Sequence, residues 1–547
     1  MANLNLLPTP GPACTPPGLD ARGKAAFHFR FGTATADAKP PVPHTRNTDL
    51  AHFPDGLGTY SKGLKQSGFG IADHASFEQF LKACGVINGG PLADFEHAPI
   101  TLGGPAGRLN GPRGAFALQQ VGKDSEAFGD AVVPPAYALD SIEYAVELVE
   151  LYWGALLRDT NFSSYATDVT VADAVLELNA LIAAHPGAYK GPLNAAGEVT
   201  PDLLFRGGLN AHPTWFAGEN VGPYLSQFCL VPTMLGRIPL DQKIKTYVPD
   251  VDFMTTLAEW FNVQNGGTPT GVGIFDPLHR YMRNGRDTGA YTQVDELYQA
   301  YLIAFLVGET LKIPRNPTNP YALGLANEKA FGDFGGPDIS ATIGAVARAA
   351  LNAVWYQKWA VHLRHRPEAG GGIVELIKTG QLNAADAAKL ANFDIVLNSQ
   401  ALSQSHARWG SHLLSQAFPE GSPTHPAYPT GHGTVAGACI TVLKFFMDGA
   451  AVLSNPVQAA PDGLTLASYA GPGVLTVNGE LHKLAHNISF GHGIHTGIHW
   501  RSDTDYSILL GEAVAIAWLE DQMFSYQENF DVTITKIDGT IHHFKNH

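Results

Sequence analysis

The chain has 547 residues, of which 45% are apolar and only 16% charged, and it carries a net charge of −15. Such a composition is globular, and the length allows two to four domains or one large helical body with an ample core. The acidity excludes nucleic acid as a partner, although a few basic residues gathered in one pocket still suit an anionic ligand. Four cysteines, Cys14, Cys84, Cys229 and Cys439, are too scattered for a metal site or a disulfide framework. The opening MANLNLLPTPGPACTPP lacks a basic start and a sustained apolar stretch, and no apolar run reaches the roughly 18 residues of a membrane span. The expectation is a soluble, cytoplasmic protein without a membrane partner.

The first 130 or so residues, rich in Gly and Pro, read as irregular coverings with short helices, the first twenty forming an extended arm. Apolar residues then recur at three- and four-residue steps over 137–158, 171–185 and 292–311, which predicts helices. A second helical set is predicted over 338–365, 386–400, 432–447, 479–490 and 505–526. Near the end, FDVTITKIDGTIHHF alternates on both sides of Asp538-Gly539, a hairpin signal. The fold class is therefore mainly α: two helical bundles closed by a small C-terminal β-hairpin. The Pro-rich KIPRNPTNPYALG marks the boundary, with an arm and first bundle over 1–324 and a second bundle plus hairpin over 325–547.

Three segments of the second half gather charge-handling side chains. In WYQKWAVHLRHRPEAGGG (355–372), Lys358 and Arg366 stand eight residues apart, about 80° around a helix and about 12 Å along it, so both can converge on one anion. Pro367 places Arg366 at the helix exit; the plainer alternative is that His362, Arg364, His365 and Arg366 complement the negative end of a helix dipole. In HPAYPTGHG (425–433), Thr430 is a candidate N-cap. The N–H groups of a helix starting at Thr430-Gly431-His432 suit a tetrahedral oxyanion, with His432 placed to move a proton and His425 in a second rank. In LAHNISFGHGIHTGIHWRSDTD (484–505), His486, His492, His495 and His499 cluster. Asp503, four residues after His499, is placed to hold one imidazole nitrogen and aim the other at a metal. A zinc site or ordinary loop histidines are the alternatives there.

Taken in order, YQKWAVHLRHRPEA, THPAYPTGHG and GIHWRSD resemble the vanadium-dependent haloperoxidases of red-algal and cyanobacterial type, which share a core with acid phosphatases. The resemblance is specific from about residue 330 to 525. It implies a vanadate cofactor, with His499 as the metal ligand and Lys358, Arg366, Thr430 and Gly431 binding oxygens. It also implies His432 as acid–base residue, with Lys358 polarising the peroxide and His425 on the halide side. The activity implied is oxidation of bromide or iodide by hydrogen peroxide to hypohalous acid, which halogenates small organic substrates. Trp355, three residues before Lys358, resembles the chloride-oxidising members and leaves chloride open. A homo-oligomer, a dimer or larger, is implied as well.

Two positions depart from the family pattern. Thr430 stands where the family has serine, and a second arginine is missing before His499. His492 is the first choice to replace it and His495 the second, while Arg501 points to another face. An imidazole in place of a permanent cation implies weaker and more pH-sensitive vanadate binding. A phosphatase using the same pocket, or a non-catalytic relative with a decayed site, are the competing readings.

Overall fold

A computed structural model describes residues 42–68, 71–86, 95 and 108–547; the expected N-terminal arm and Cys14 lie outside the described residues. Among the described residues ten helices carry the architecture: α1 Ile142–Leu156, α2 Val169–Ala184, α3 Gly285–Gln293, α4 Gln299–Leu311, α5 Gly336–Tyr356, α6 Pro367–Lys378, α7 Gln400–Trp409, α8 Gly431–Phe446, α9 Val477–Gly491 and α10 Arg501–Gln522. The fold is mainly helical, as the periodicity predicts. None of these helices is long and apolar enough to cross a membrane.

Helix α8 forms the centre because TVAGACITVLKFF has no polar face to leave in water; all its residues are buried, and it packs on α10, α5 and α9. The main core joins Ile343 and Val346 of α5, Val435 and Leu443 of α8, Leu481 and Ile488 of α9, and Ile508 of α10. A second core is built from Leu148 and Trp153 of α1, Leu178 of α2, Val374 of α6, Leu402 of α7, and Phe490, Ile494 and Trp500. Residues 490–500 thus run through the second core, while the bodies of α9 and α10 on either side belong to the first.

The α8–α10 crossing depends on two glycines. A Cβ on Gly437 would lie 2.0 Å from Ile508 O, and one on Gly511 would lie 2.0 Å from Thr434 O. Both clashes are with backbone, which cannot rotate away. At the C-terminus, β1 (Asp531–Thr535) and β2 (Ile541–Lys545) pair antiparallel with Thr535 opposite Ile541. Gly539, at φ +83°, turns the predicted hairpin, and Val532, Ile534 and Phe544 face the main core.

Four predicted helices differ from the observed ones, each for a local reason. The helix expected over 292–311 breaks at 294–298, between α3 and α4. That over 338–365 ends at Tyr356 and continues as one widened π-turn, Gln357–His362, before Leu363 turns at φ +51°. The widened turn lets Trp359 pack against Tyr60 and Phe80, with ring centroids 5.9 and 6.3 Å away. That over 386–400 breaks into short turns, and Ser399 caps a new start by accepting the Leu402 N–H. Helix α10 starts at Arg501, four residues earlier than predicted, because Asp503 accepts the Trp500 N–H at 3.1 Å. Short strand pairs such as Ile244–Tyr247 with Phe275–Arg280 went unpredicted, since three to six residues are too few to display alternation.

Buried carboxylates and bases pair at several points among the described residues. His486 of α9 sits between Glu219 and Asp505, donating from Nε2 to Asp505 Oδ1 at 3.1 Å. Although burial opposes the charged ring, the two carboxylates raise its pKa to about 9.

Two outcomes are expected from this packing. Gly511→Ala should cost about 1–3 kcal/mol through overpacking, read as a lowered Tm. The His486 contribution is present in full below its unfolded pKa of about 6.5 and lost as pH rises through about 9. The Tm of the protein should therefore fall between pH 6.5 and 9.5, and His486→Gln should flatten that part of the profile.

Candidate active site

Where the two cores meet, a cavity of about 190 Å³ is lined by Trp355, His425, Gly431, His432, His492 and His499, among others. Its walls come from helix ends and the segments between helices. Trp355 closes α5, and the π-turn after it carries Lys358. Leu363, a non-glycine residue in the left-handed region, turns the chain between the π-turn and the segment that carries Arg366. Pro367 at the first position of α6 holds Arg366 extended, at φ −83° and ψ 155°. Arg366 therefore stands at the start of a helix and not at the exit of the preceding one, and the helical spacing from Lys358 does not apply.

Lys358 is fully buried and donates from Nζ to Pro426 O at 2.7 Å and Ala427 O at 2.6 Å. Burial, then the nearby Arg366 charge, press its pKa well below the usual lysine range. Arg366 donates to His425 O at 2.9 Å, to Ile498 O at 3.0 Å and to His499 Nε2 at 2.7 Å, and its second arm reaches the His425 ring at 2.9 Å. Burial lowers its pKa to about 10. Two buried cations so placed, with Asp503 behind them, leave a positive potential suited to an anion.

Helix α8 opens into the cavity. Thr430 is its N-cap residue and its N–H is taken by Asp503 O at 2.9 Å, but its hydroxyl makes no capping bond. That hydroxyl is buried without a hydrogen-bond partner among the described residues. The first intrahelical bond runs from Thr434 N–H to Thr430 O, so the N–H groups of Gly431 to Gly433 stand at the open helix end. A side chain at Gly431 would press on the Trp355 ring at 3.2 Å.

His499 is completely buried, and its Nδ1–H donates to Asp503 Oδ2 at 2.7 Å. That bond assigns the lone pair to Nε2, the nitrogen met by Arg366. The pair was expected on one helix face; in fact His499 precedes α10, and Asp503 in its first turn reaches back. His432 Nε2 meets Asp295 at 2.9 and 3.1 Å. The His492 ring lies 3.8 Å from that of His432 and 5.9 Å from that of His499, centroid to centroid, and its buried Nδ1 has no partner among the described residues. Burial, followed by His432 and His499, pushes its pKa well below the usual histidine value. Trp355 donates from Nε1 to Asn110 O at 3.0 Å, and its ring lies 4.7 Å from His425.

Four other candidates lie elsewhere. His495 packs with Phe162, Phe205 and Tyr224, its Nε2 3.0 Å from the Tyr224 hydroxyl. Arg501 pairs with Glu150, and His486 with Glu219 and Asp505. His365 bonds the Tyr144 hydroxyl and Leu57 O. The four histidines of 486–499 therefore do not converge on one point, and among the described residues no three ligating side chains are grouped to hold a metal ion.

No protein-family model matches the chain. It is 35% identical over 528 residues to the vanadium-dependent bromoperoxidase of Ascophyllum nodosum, covering 94% of this chain and 90% of that protein. The chain belongs to the vanadium-dependent bromoperoxidase family. The enzyme of the same name from Corallina officinalis is 32% identical over 606 residues, covering 95% and 98%. A solved structure from Ascophyllum nodosum, the homohexameric second vanadate-dependent bromoperoxidase, matches with a TM-score of 0.84 at 28% identity over 99% of this chain and 94% of that one. The donors present fit a bromoperoxidase's vanadate: a lysine, an arginine, an open helix start, a partnerless buried hydroxyl and an imidazole with its lone pair free of its own proton.

Two residues of this bromoperoxidase site escaped the sequence. Asp295 lay inside a stretch read as continuous helix, and only the break between α3 and α4 turns it toward His432. Arg364 was read as a complement to a helix dipole; it pairs with Asp503 at 2.8 Å and Glu147 at 3.1 Å. A carboxylate interrupting the apolar periodicity at 295 was the available signal for the first. Arg364, between two other basic residues, carried none.

Proposed function

We propose that this protein oxidises bromide, and iodide, with hydrogen peroxide, using vanadate as its resident cofactor. The balance is Br⁻ + H₂O₂ + H⁺ → HOBr + H₂O: bromide loses two electrons, the O–O bond takes them, and hypobromous acid then halogenates electron-rich organic compounds. What carries the reading, beyond the family, is a cavity lined by Gly431 and His432 of the α8 start and by His425 and His499, with Arg366 bonded to both of those rings and Lys358 held on the carbonyls that follow His425.

In this reading His499 would hold the vanadate through Nε2, the nitrogen that Arg366 meets here, while Asp503 keeps the ring from turning. Lys358, Arg366, the Gly431 N–H and the Thr430 hydroxyl each take an oxygen, which gives the orphaned hydroxyl its partner. Vanadate supplies a Lewis acid that activates hydrogen peroxide without a change of metal oxidation state. With its Nε2–H on Asp295, His432 has Nδ1 as its basic nitrogen, and this takes the proton released by incoming peroxide and returns it to the leaving oxygen. Lys358, held at its head by two carbonyls, stabilises charge that develops on the oxygens. Trp355 and His425 form the wall on the halide side.

His492, rather than His495, takes the place of the missing arginine. A neutral imidazole offers one hydrogen bond where a guanidinium offers a charged fork, so vanadate is held less tightly than arginine would hold it. Assembly as a homo-oligomer belongs to the same proposal. So does a cytoplasmic location, which suits the buried free thiols of Cys84, Cys229 and Cys439.

The deciding experiment is dye bromination by the purified chain with bromide and peroxide, with and without orthovanadate. Turnover should require all three additions, and His499→Ala should abolish it. Hydrolysis of a phosphate ester unaffected by peroxide, with no bromination, would overturn the proposal. His492→Arg should tighten orthovanadate binding roughly 10- to 100-fold, the worth of an added charged hydrogen bond, measured by calorimetric titration.

A further inference from the structure

Behind His499 lies a layer of charge that the proposed mechanism does not use. Arg364 is buried, 2% exposed, on the extended segment between the π-turn and α6. One arm donates to Asp503 Oδ1 at 2.8 Å and to Ser502 Oγ at 2.9 Å, and the other donates to Glu147 Oε2 on α1 at 3.1 Å. Glu147 in turn accepts the Ser502 N–H at 2.8 Å and its hydroxyl at 3.0 Å, so it also caps the start of α10. The guanidinium carbon lies 4.7 Å from the centroid of the Trp500 ring, the residue next to His499. Through its carbonyl, Arg364 also accepts the Ala427 N–H at 2.8 Å, in the strand of loop whose carbonyls hold Lys358.

Each contact constrains the same object. Asp503 has two oxygens: Oδ2 takes the His499 Nδ1–H and Oδ1 takes Arg364. Were Oδ1 unclaimed, the carboxylate would be held at Oδ2 alone, by His499 and the Trp500 N–H, and could pivot there about χ2, whose potential is broad for aspartate, carrying the imidazole plane with it. A single clamp on Oδ1, backed by Glu147 and seated on Trp500, removes that freedom.

We propose that Arg364 is a positioning residue for the vanadate ligand, acting through Asp503 to fix the plane and direction of the His499 imidazole. This rests on the reading of His499 as the metal ligand. Glu147 is the brace that orients the arginine. The neighbouring pair, Arg501 with Glu150, joins the same two helices and is equally buried, but it does not touch Asp503. It therefore supplies a control with the same structural burden.

The test titrates orthovanadate into the metal-free full-length chain by calorimetry, beside Tm and bromide-oxidation kinetics at saturating vanadate. Arg364→Gln should weaken orthovanadate binding 10- to 100-fold, the usual loss when an outer partner of a metal ligand is removed. Arg364→Lys should recover part of that loss, and kcat at saturation should fall less than affinity does. Glu150→Gln should lower Tm while leaving affinity at the wild-type value. Should Arg364→Gln not fold, Glu147→Gln keeps the arginine and removes its brace, with a loss of about tenfold expected. Wild-type affinity in the folded Arg364 or Glu147 variants, or an equal loss in Glu150→Gln, overturns the positioning role. A wild-type chain that binds no orthovanadate overturns the reading of the site itself, and this role with it.

Discussion

The carboxylate of Asp503 is the point on which the site is assembled. It has no exposed surface, and an unpaired charge there would cost several kcal/mol. Its side chain meets His499, Arg364 and the Trp500 N–H, while its carbonyl takes the Thr430 N–H. One residue therefore ties the His499 imidazole, the start of α10, the start of α8 and the segment leading to Arg366. The need to satisfy one buried anion holds Arg364 against the 499–503 segment, and the Asp503 carbonyl adds the α8 start, so three stretches distant in sequence meet there.

The same constraint explains why helices frame the cavity and chain ends fill it. A helix interior has no spare donors, since each N–H is already bonded four residues back. Donors for an anion are found where that ladder stops or widens: at the α8 start, at Lys358 in the π-turn, and at the extended Arg366. The rigid part of the design is the contact of Gly437 and Gly511, which sets α8 and α10 close enough for Thr430 and Asp503 to bond. Tight packing in the core thus sets the tolerance of the site.

With His492 in the proposed place of the family's arginine, the chemistry would change more than the shape. The imidazole lies against His432 and within reach of His499, so the cavity carries three rings near one another and fewer permanent charges. Lys358 and Arg366 then bear most of the charge that faces the anion. Under the proposed function, affinity for an oxyanion would lean on two cations and a helix start.

Read from sequence, the helices of the centre, the terminal hairpin and the three charge-bearing segments were all apparent, because periodicity and close-spaced motifs are local properties. The choice between His492 and His495 was open there, since one residue of loop register turns a ring to the opposite side. Asp295 and Arg364 were hidden for a related reason: their partners lie 137 and 139 residues away along the chain. Local pattern determined which residues could handle charge. Only the packed structure decided which of them share a cavity, because burial forces each charge to find a partner, and partners are chosen by proximity in space.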